Sequence, residues 1–389
     1  MPPAATIRTG VIATGGANAL NTDQLVVDMM EQVFQYDPPG SPLLTVVTKR
    51  MQTKRAKQTT VKHLEDQPVP EWDKANGTVN AAATALVVDH PTYHRVGDLL
   101  KVVSTGETIR VVGVNPATST LTISRSWGAV AAAQITDNDD LLNMGAAEME
   151  GDDPSEAKST LTVTKTNFAQ IVKEAVELSK TAQVADSYLG DQRMYDRRKA
   201  GAKHAREWEQ IFLHGEKNED TSTGSRPIRS CGGLDEHIVT NVLDANGTLT
   251  EPEFIDWIGD CMRHSVSGGR KRKGLLMSRE LASTISMWGN NKLVTNSQAS
   301  ATYGFDVATY ISPHGTLDCA LHPLLEVGYA GTGYIVDWAG VWYRPYRRTE
   351  LHTNIETPGA DRHKDEYVTE ASASFALEEC FGKVHSVEF

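Results

Sequence analysis

Cysteine is scarce: Cys231, Cys261, Cys319 and Cys380 are the whole complement of 389 residues, and no two of them form a Cys-x-x-Cys pair. That spacing excludes a disulfide scaffold and a thiolate zinc site, and it fits buried thiols in a reducing cytosol. Long apolar runs are missing too. No window reaches the roughly 20 consecutive apolar residues of a membrane helix, so no membrane partner is expected. The opening residues, MPPAATIRTGVIATGGANAL, hold one Arg and a short apolar stretch broken by glycine. They lack the core of a secretory signal and read as an ordered or semi-ordered arm, with no large propeptide removed ahead of Met1. Positive charge is in the minority, with 38 Lys and Arg against 50 Asp and Glu and a net charge of -12. A chain this acidic is ill suited to coating DNA, which needs a basic face, and suits a protein that stays soluble at high concentration.

Catalytic patterns are absent as well. GGRKRKG and FGKVHS lack the Gly-x-x-x-x-Gly-Lys-Ser/Thr spacing that cradles phosphates, and there is no Gly-x-Ser-x-Gly elbow and no His-Glu-x-x-His. His90 and His94 stand four apart beside Asp89, but Pro91 opposes the helix that would align them as metal ligands, so a surface turn is expected. His204 and Glu207 share a helix face and read as a solvated or partner-facing polar pair. No catalytic, cofactor-binding or metal-binding residue is assigned.

What the chain does contain is mixed α and β without regular βαβ alternation, which points to an α+β fold. Thr22 caps a helix with apolar residues at Leu25, Val26, Met29, Met30, Val33 and Phe34, and Asp37 to Pro42 is a rigid turn into the extended LLTVVTKR. Residues 74–83, KANGTVNAAA, read as a linker. From 84 to 145, short Val, Ile and Thr-rich runs separated by turn formers predict a compact β-rich insertion, a small barrel or sandwich. NFAQIVKEAVELSKTAQVA fits a helix and a strand equally well. DSYLGDQRMYDRRKAGAKHAREWEQIFLHG predicts a helix of about 28 residues, roughly 42 Å long, with Met194, Gly201, Ala205, Trp208 and Phe212 on its apolar stripe and Glu207 and Glu209 on its polar sides. A polar loop follows at 216–227. Thr250 with Glu253 caps a helix burying Phe254, Ile258, Cys261 and Met262, and Ser278 caps another containing Leu281, Ile285 and Trp288. GYIVDWAGVWYRPYRR reads as a hairpin, and EASASFALEECFGKVHSVEF as one or two closing strands.

Against the acidic background, KRMQTKRAKQTTVK at 49–62 carries six basic residues and no acid, and HLEDQPVPEWD follows at once. Neither this run nor Arg270–Lys273 has the interleaved aromatics of a single-strand binder, so a solvated or partner-facing surface is favoured over nucleic-acid recognition. Lys54, Arg55, Lys57, Lys62, Glu65 and Asp66 are the candidates for contact between subunits.

YDPPGSPLLTVVTKR, HLEDQ, VGDLLKVVS…ETIRVVGVNPATSTLTISRSWGAV, NFAQIVKEAVELSKTA and ASFALEECFGKVHSVEF together resemble one family of tailed-bacteriophage major capsid proteins with the Hong Kong 97 fold. The resemblance covers most of the chain. It implies an N-terminal arm at 1–46, an extended loop with peripheral-domain strands at 47–83 and 146–182, and the β-rich insertion at 84–145. The spine helix and peripheral domain would occupy 183–248, the axial domain 249–345 and C-terminal peripheral-domain strands 346–389. It also implies pentamers and hexamers closing into an icosahedral head shell in the virion, built from subunits made in the bacterial cytoplasm. Portal protein, scaffold or cement proteins and weakly held packaged DNA would be the partners, and no cofactor is implied. A non-viral nanocompartment shell of the same fold, and more remotely a hydrolase, are the alternatives.

Overall fold

The computed structural model describes residues 52–151, 157–185, 191–222, 224, 226–266, 272–288, 293–295, 307–326 and 328–388. The expected arm, its helix after Thr22, the turn at 37–42, Lys49, Arg50, Arg270 and Lys271 lie outside them. Two compact units emerge: Leu64–Lys165, and the flanking sequence up to His63 and from Thr166.

The chain enters through β1 (Gln52–Thr53) and β2 (Thr60–Glu65). The inner unit then builds β3 (Trp72–Lys74), β4 (Ala85–Val87), β5 (Asp98–Val102), β6 (Thr108–Asn115), β7 (Thr120–Ser124) and β8 (Asp140–Ala146). Side chains alternate across a strand, and here Leu100 and Val102, Ile109 and Val111, and Leu121 and Ile123 all turn into one apolar core. The strand order is β3-β8-β5-β6-β7-β4, and the two ends meet. Asn76 N donates to Val87 O at 2.9 Å and Asp89 N to Lys74 O at 3.1 Å. The sheet is therefore a closed barrel without a free edge. This corrects the linker at 74–83: Ala75 and Val79 are buried in the barrel core, since small side chains fit where the closing strands approach. The compact unit is also wider than the 84–145 insertion expected from composition.

β9 (Val163–Phe168) pairs with β2 as a ribbon. The ambiguous stretch after it resolves as a strand, β10 (Gln170–Ser179), followed by a short α1 (Lys180–Val184). Ten consecutive pairs with β20 (Arg362–Phe375) decide the matter in favour of sheet. The spine is α2 (Gln192–His214), 23 residues long. The Asp191 side chain accepts from Met194 N at 3.2 Å to start it, and Gly215 ends it where a Cβ would collide with the carbonyls of Ile211 and Cys231. Its buried stripe is Ala200, His204, Trp208 and Phe212, with Glu209 and Leu213. Met194, expected inside, is exposed, because the run of i, i+4 contacts begins at Ala200.

In the polar 216–230 region, β11 (Asn218–Asp220) pairs with β12 (Ile228–Ser230). Then follow α3 (Leu234–His237), β13 (Val242–Gly247), α4 (Glu251–Arg263), β14 (Arg272–Met277), α5 (Arg279–Met287), β15 (Leu293–Thr295), β16 (Val307–Ile311), β17 (Thr316–Leu321), β18 (Gly333–Val336), β19 (Val341–His352) and β21 (Gly382–Val387). Both caps read from the sequence are present: Thr250 and Glu253 form a capping box on α4, and Ser278 Oγ accepts from Leu281 N on α5. Four strands form one sheet, β1-β19-β20-β10, and seven form another, β13-β21-β18-β14-β17-β16-β15.

The expected hairpin at 333–348 is not one. β18 belongs to the seven-stranded sheet and β19 to the four-stranded sheet, with a turn at Trp338–Gly340 between them in which Asp337 accepts from Ala339 N. The grouping of 346–389 is likewise corrected, for β21 leaves β20 and pairs with β13 and β18. Trp208, Phe212 and Leu213 of α2 pack with Ala371, Ala373, Tyr334 and Val336 in a core shared by both sheets. Phe254, Ile258, Cys261, Leu281 and Ile285 cover the seven-stranded sheet in a second core.

Candidate assembly surface

The basic run is fixed by its backbone and offers its charges to solvent. Lys54 N donates to Tyr343 O at 3.1 Å and Ala56 N to Pro345 O at 2.9 Å, which prolongs the β1 edge beside β19. Ala56 and Val61 are buried, whereas Lys54, Arg55, Lys57 and Lys62 are exposed. None of these four cations pairs with a carboxylate among the described residues. The small and β-branched members of the run thus anchor it, and the long cationic ones stay available. Glu65 is half-buried, and exposed Asp66 accepts from the Thr160 hydroxyl at 2.9 Å. Lys54, Arg55 and Lys57 thus form an exposed strip beside β19, Lys62 follows on β2, and the two acids fall in the other compact unit.

Polar clusters that the sequence did not reveal lock α2 to the sheets. Asp365 accepts from Arg193 Nε at 2.8 Å and Nη2 at 2.6 Å, from Arg197 Nε at 2.8 Å and from Asn354 N at 3.0 Å. Burial alone would raise its pKa, but the two guanidiniums and the backbone donor outweigh that and hold the carboxyl well below the usual range. The only signal in the sequence is Arg193 and Arg197 at i, i+4 on one helix face.

His204 is buried rather than solvated, correcting the polar-pair reading. The Thr369 hydroxyl donates to Thr349 Oγ1 at 2.8 Å and so accepts from His204 Nε2–H at 2.7 Å. His204 Nδ1 is buried without a partner. Burial lowers the pKa of this imidazole, and the charges of Glu207 and Glu174 only partly oppose it. Glu209 is also inside: Leu324 N donates to His322 Nδ1 at 3.2 Å, so His322 Nε2 carries the proton that it donates to Glu209 Oε1 at 2.9 Å.

The second basic cluster is split: Arg272 stays exposed, whereas Lys273 is buried. Arg272 forks onto Asp318, and Lys273 is 1% exposed. Its Nζ donates to Cys261 O at 2.6 Å, His264 O at 2.8 Å and Cys380 O at 2.8 Å, using all three ammonium donors on carbonyls left over at the end of α4 and beside it. In the barrel, His94 is buried where a surface turn was expected. Asp73 holds both rings, His90 Nδ1 at 3.1 Å and His94 Nε2 at 2.8 Å. Among the described residues no group of three or more His, Cys, Asp or Glu is arranged to hold a metal ion, and no helix is long and apolar enough to cross a membrane.

A long helix laid on a four-stranded sheet, a seven-stranded sheet with two capped helices and an inserted barrel make an α+β capsid subunit of the Hong Kong 97 type. The chain belongs to the SU10 major capsid protein family, whose profile matches residues 12–388, and it is a phage major capsid protein, a shell-forming subunit. The major capsid protein of Pseudomonas phage PaMx41 is 25% identical over 311 residues, which cover 77% of this chain and 73% of that one. In fold, the chain is similar to the capsid protein of Myoviridae phage XM1, with a TM-score of 0.51 at 10% identity over 96% of this chain and all of that one. It is similarly close to the capsid of a native GTA particle, with a TM-score of 0.52 at 8% identity over 96% of this chain and 100% of that one.

Proposed function

We propose that this subunit closes, as pentamers and hexamers, into the icosahedral head of a tailed phage that encloses double-stranded DNA. The family match along nearly the whole chain carries the reading. In it, residues 1–46 are the arm, the β2–β9 ribbon belongs to the extended loop, α2 with β10, β19 and β20 is the peripheral domain, and the seven-stranded sheet is the core of the axial domain. Portal protein, scaffold or cement proteins and weakly held DNA are its partners, with synthesis in the host cytoplasm.

Lys54, Arg55, Lys57 and Lys62 meet acidic surface on adjacent subunits, to which Glu65 and Asp66 contribute. Single exposed ion pairs are worth only about 0–1 kcal/mol, but the contact repeats at every subunit of a shell, and complementary charge sets register. Sedimentation of the wild type should give megadalton particles, or capsomers that convert to them; a monomer at every concentration overturns the shell reading. Lys54→Glu, Arg55→Glu and Lys57→Glu combined should keep the circular dichroism of the wild type and lose assembly in light scattering. Normal shells that no longer retain DNA would instead make the strip a genome contact.

A further inference from the structure

β10 lies at the edge of its sheet. Its ten pairs all go to β20; no other described strand pairs with it, although β12 comes near its first residues. Where β10 begins, it and the last turns of α2 flank an open groove of about 470 Å³ lined by Ile171, Val172, Glu207, Ile211 and His214 among others. Val172 is buried, but Ile171 is half exposed. An exposed edge strand beside an apolar trough is the setting in which an extended segment adds as a further strand, with backbone bonds giving affinity and side chains filling the trough.

We propose that the occupant is the segment Leu43–Val47, LLTVV, of a second copy of this chain. Its composition fits: five consecutive residues, four apolar and three β-branched, match the trough, and Lys49 and Arg50, one residue further on, suit Glu207, the one carboxylate in the lining. The reach of the chain selects the second copy. β1 sits at the opposite edge of the same sheet, so the slot outside β10 is four strand spacings away, about 19 Å. Val47 precedes Gln52 by five residues, which span at most about 18 Å even when fully extended. A subunit therefore cannot place this segment in its own groove, and a neighbour can. The inference rests on the shell reading only in needing a second copy alongside.

The test is cysteine trapping in assembled particles, aided by the burial of all four native thiols. Val46→Cys and Val47→Cys are each combined with Ile171→Cys, a half-exposed position, so that both strand faces are sampled. Mild oxidation should link chains at a yield at least ten-fold above the single variants, and particles built from mixed isotopic labels should give linked peptides carrying one label from each chain. Particles that form without linkage in either pair overturn the groove assignment and leave the shell reading standing. Linkage confined to like-labelled peptides overturns the second-copy occupant. Failure of the unsubstituted protein to form particles overturns the shell reading itself, and this inference with it.

Discussion

Beneath α2 a neutral base and an ionised acid are kept inside by opposite means. Asp365 is tolerated because two arginines and a backbone N–H surround it, whereas His204 is tolerated because it stays uncharged. The imidazole has a pKa below its ordinary 6.5 when folded, so between that value and 6.5 the unfolded chain binds the proton and the folded chain does not. Stability from this residue is complete above about 6.5 and falls as pH drops through the folded-state value. His214, also lowered by burial, acts in the same direction. The denaturation midpoint of the unassembled subunit should thus fall between pH 7.5 and 5.5, and His204→Gln, which keeps a donor for Thr369 but cannot titrate, should make that fall shallower. An equal fall in the variant would mean that His204 does not contribute.

The spine helix carries its own test at Gly201. A Cβ there would lie 3.4 Å from the Tyr367 ring carbon Cζ and hydroxyl oxygen, so β20 crosses α2 closely at this point. Alanine fits that space and gains about 1 kcal/mol of helix propensity over glycine. Leucine overpacks it, at a cost of about 1–3 kcal/mol. Thermal unfolding should rank Ala above Gly above Leu; a leucine variant more stable than wild type would show that Tyr367 yields freely. Elements of this kind were largely legible in the sequence. Thr250 with Glu253 and Ser278 announced their helices because a cap is a local bond, and the Val, Ile and Thr-rich runs between turn formers in 84–145 announced the barrel strands. The misreadings were non-local. Lys273 looked like one more surface cation because nothing nearby in sequence reveals that Cys380 O waits for it. Glu209 looked solvated because its partner, His322, is 113 residues away. Strands β18 and β19 looked like a hairpin because sheet membership is decided by distant neighbours. The cationic strip was legible as a charge run, but whatever covers it leaves no mark within one chain.

Charge is divided unevenly over the whole molecule: Leu64–Lys165 carries fifteen Asp and Glu against seven Lys and Arg, two-thirds of the net negative charge in about a quarter of the length. Copies of such a chain repel one another at long range, and the Lys54–Lys57 strip is the local exception. Salt shortens the range of both effects, from about 8 Å at physiological strength to about 3 Å at 1 M. The assembly gap between wild type and the triple charge reversal should therefore narrow as sodium chloride rises from 0.05 to 0.5 M. A gap that persists unchanged in light scattering would make the strip's role one of shape. The same unit also closes on itself, since the twelve buried side chains of its core all come from residues 75–141. A stretch that seals its own core can be inherited as a module. Exchanging codons 64–165 for those of a related barrel would leave the packing around α2 unchanged, so the two parts of such a gene would be free to diverge at different rates.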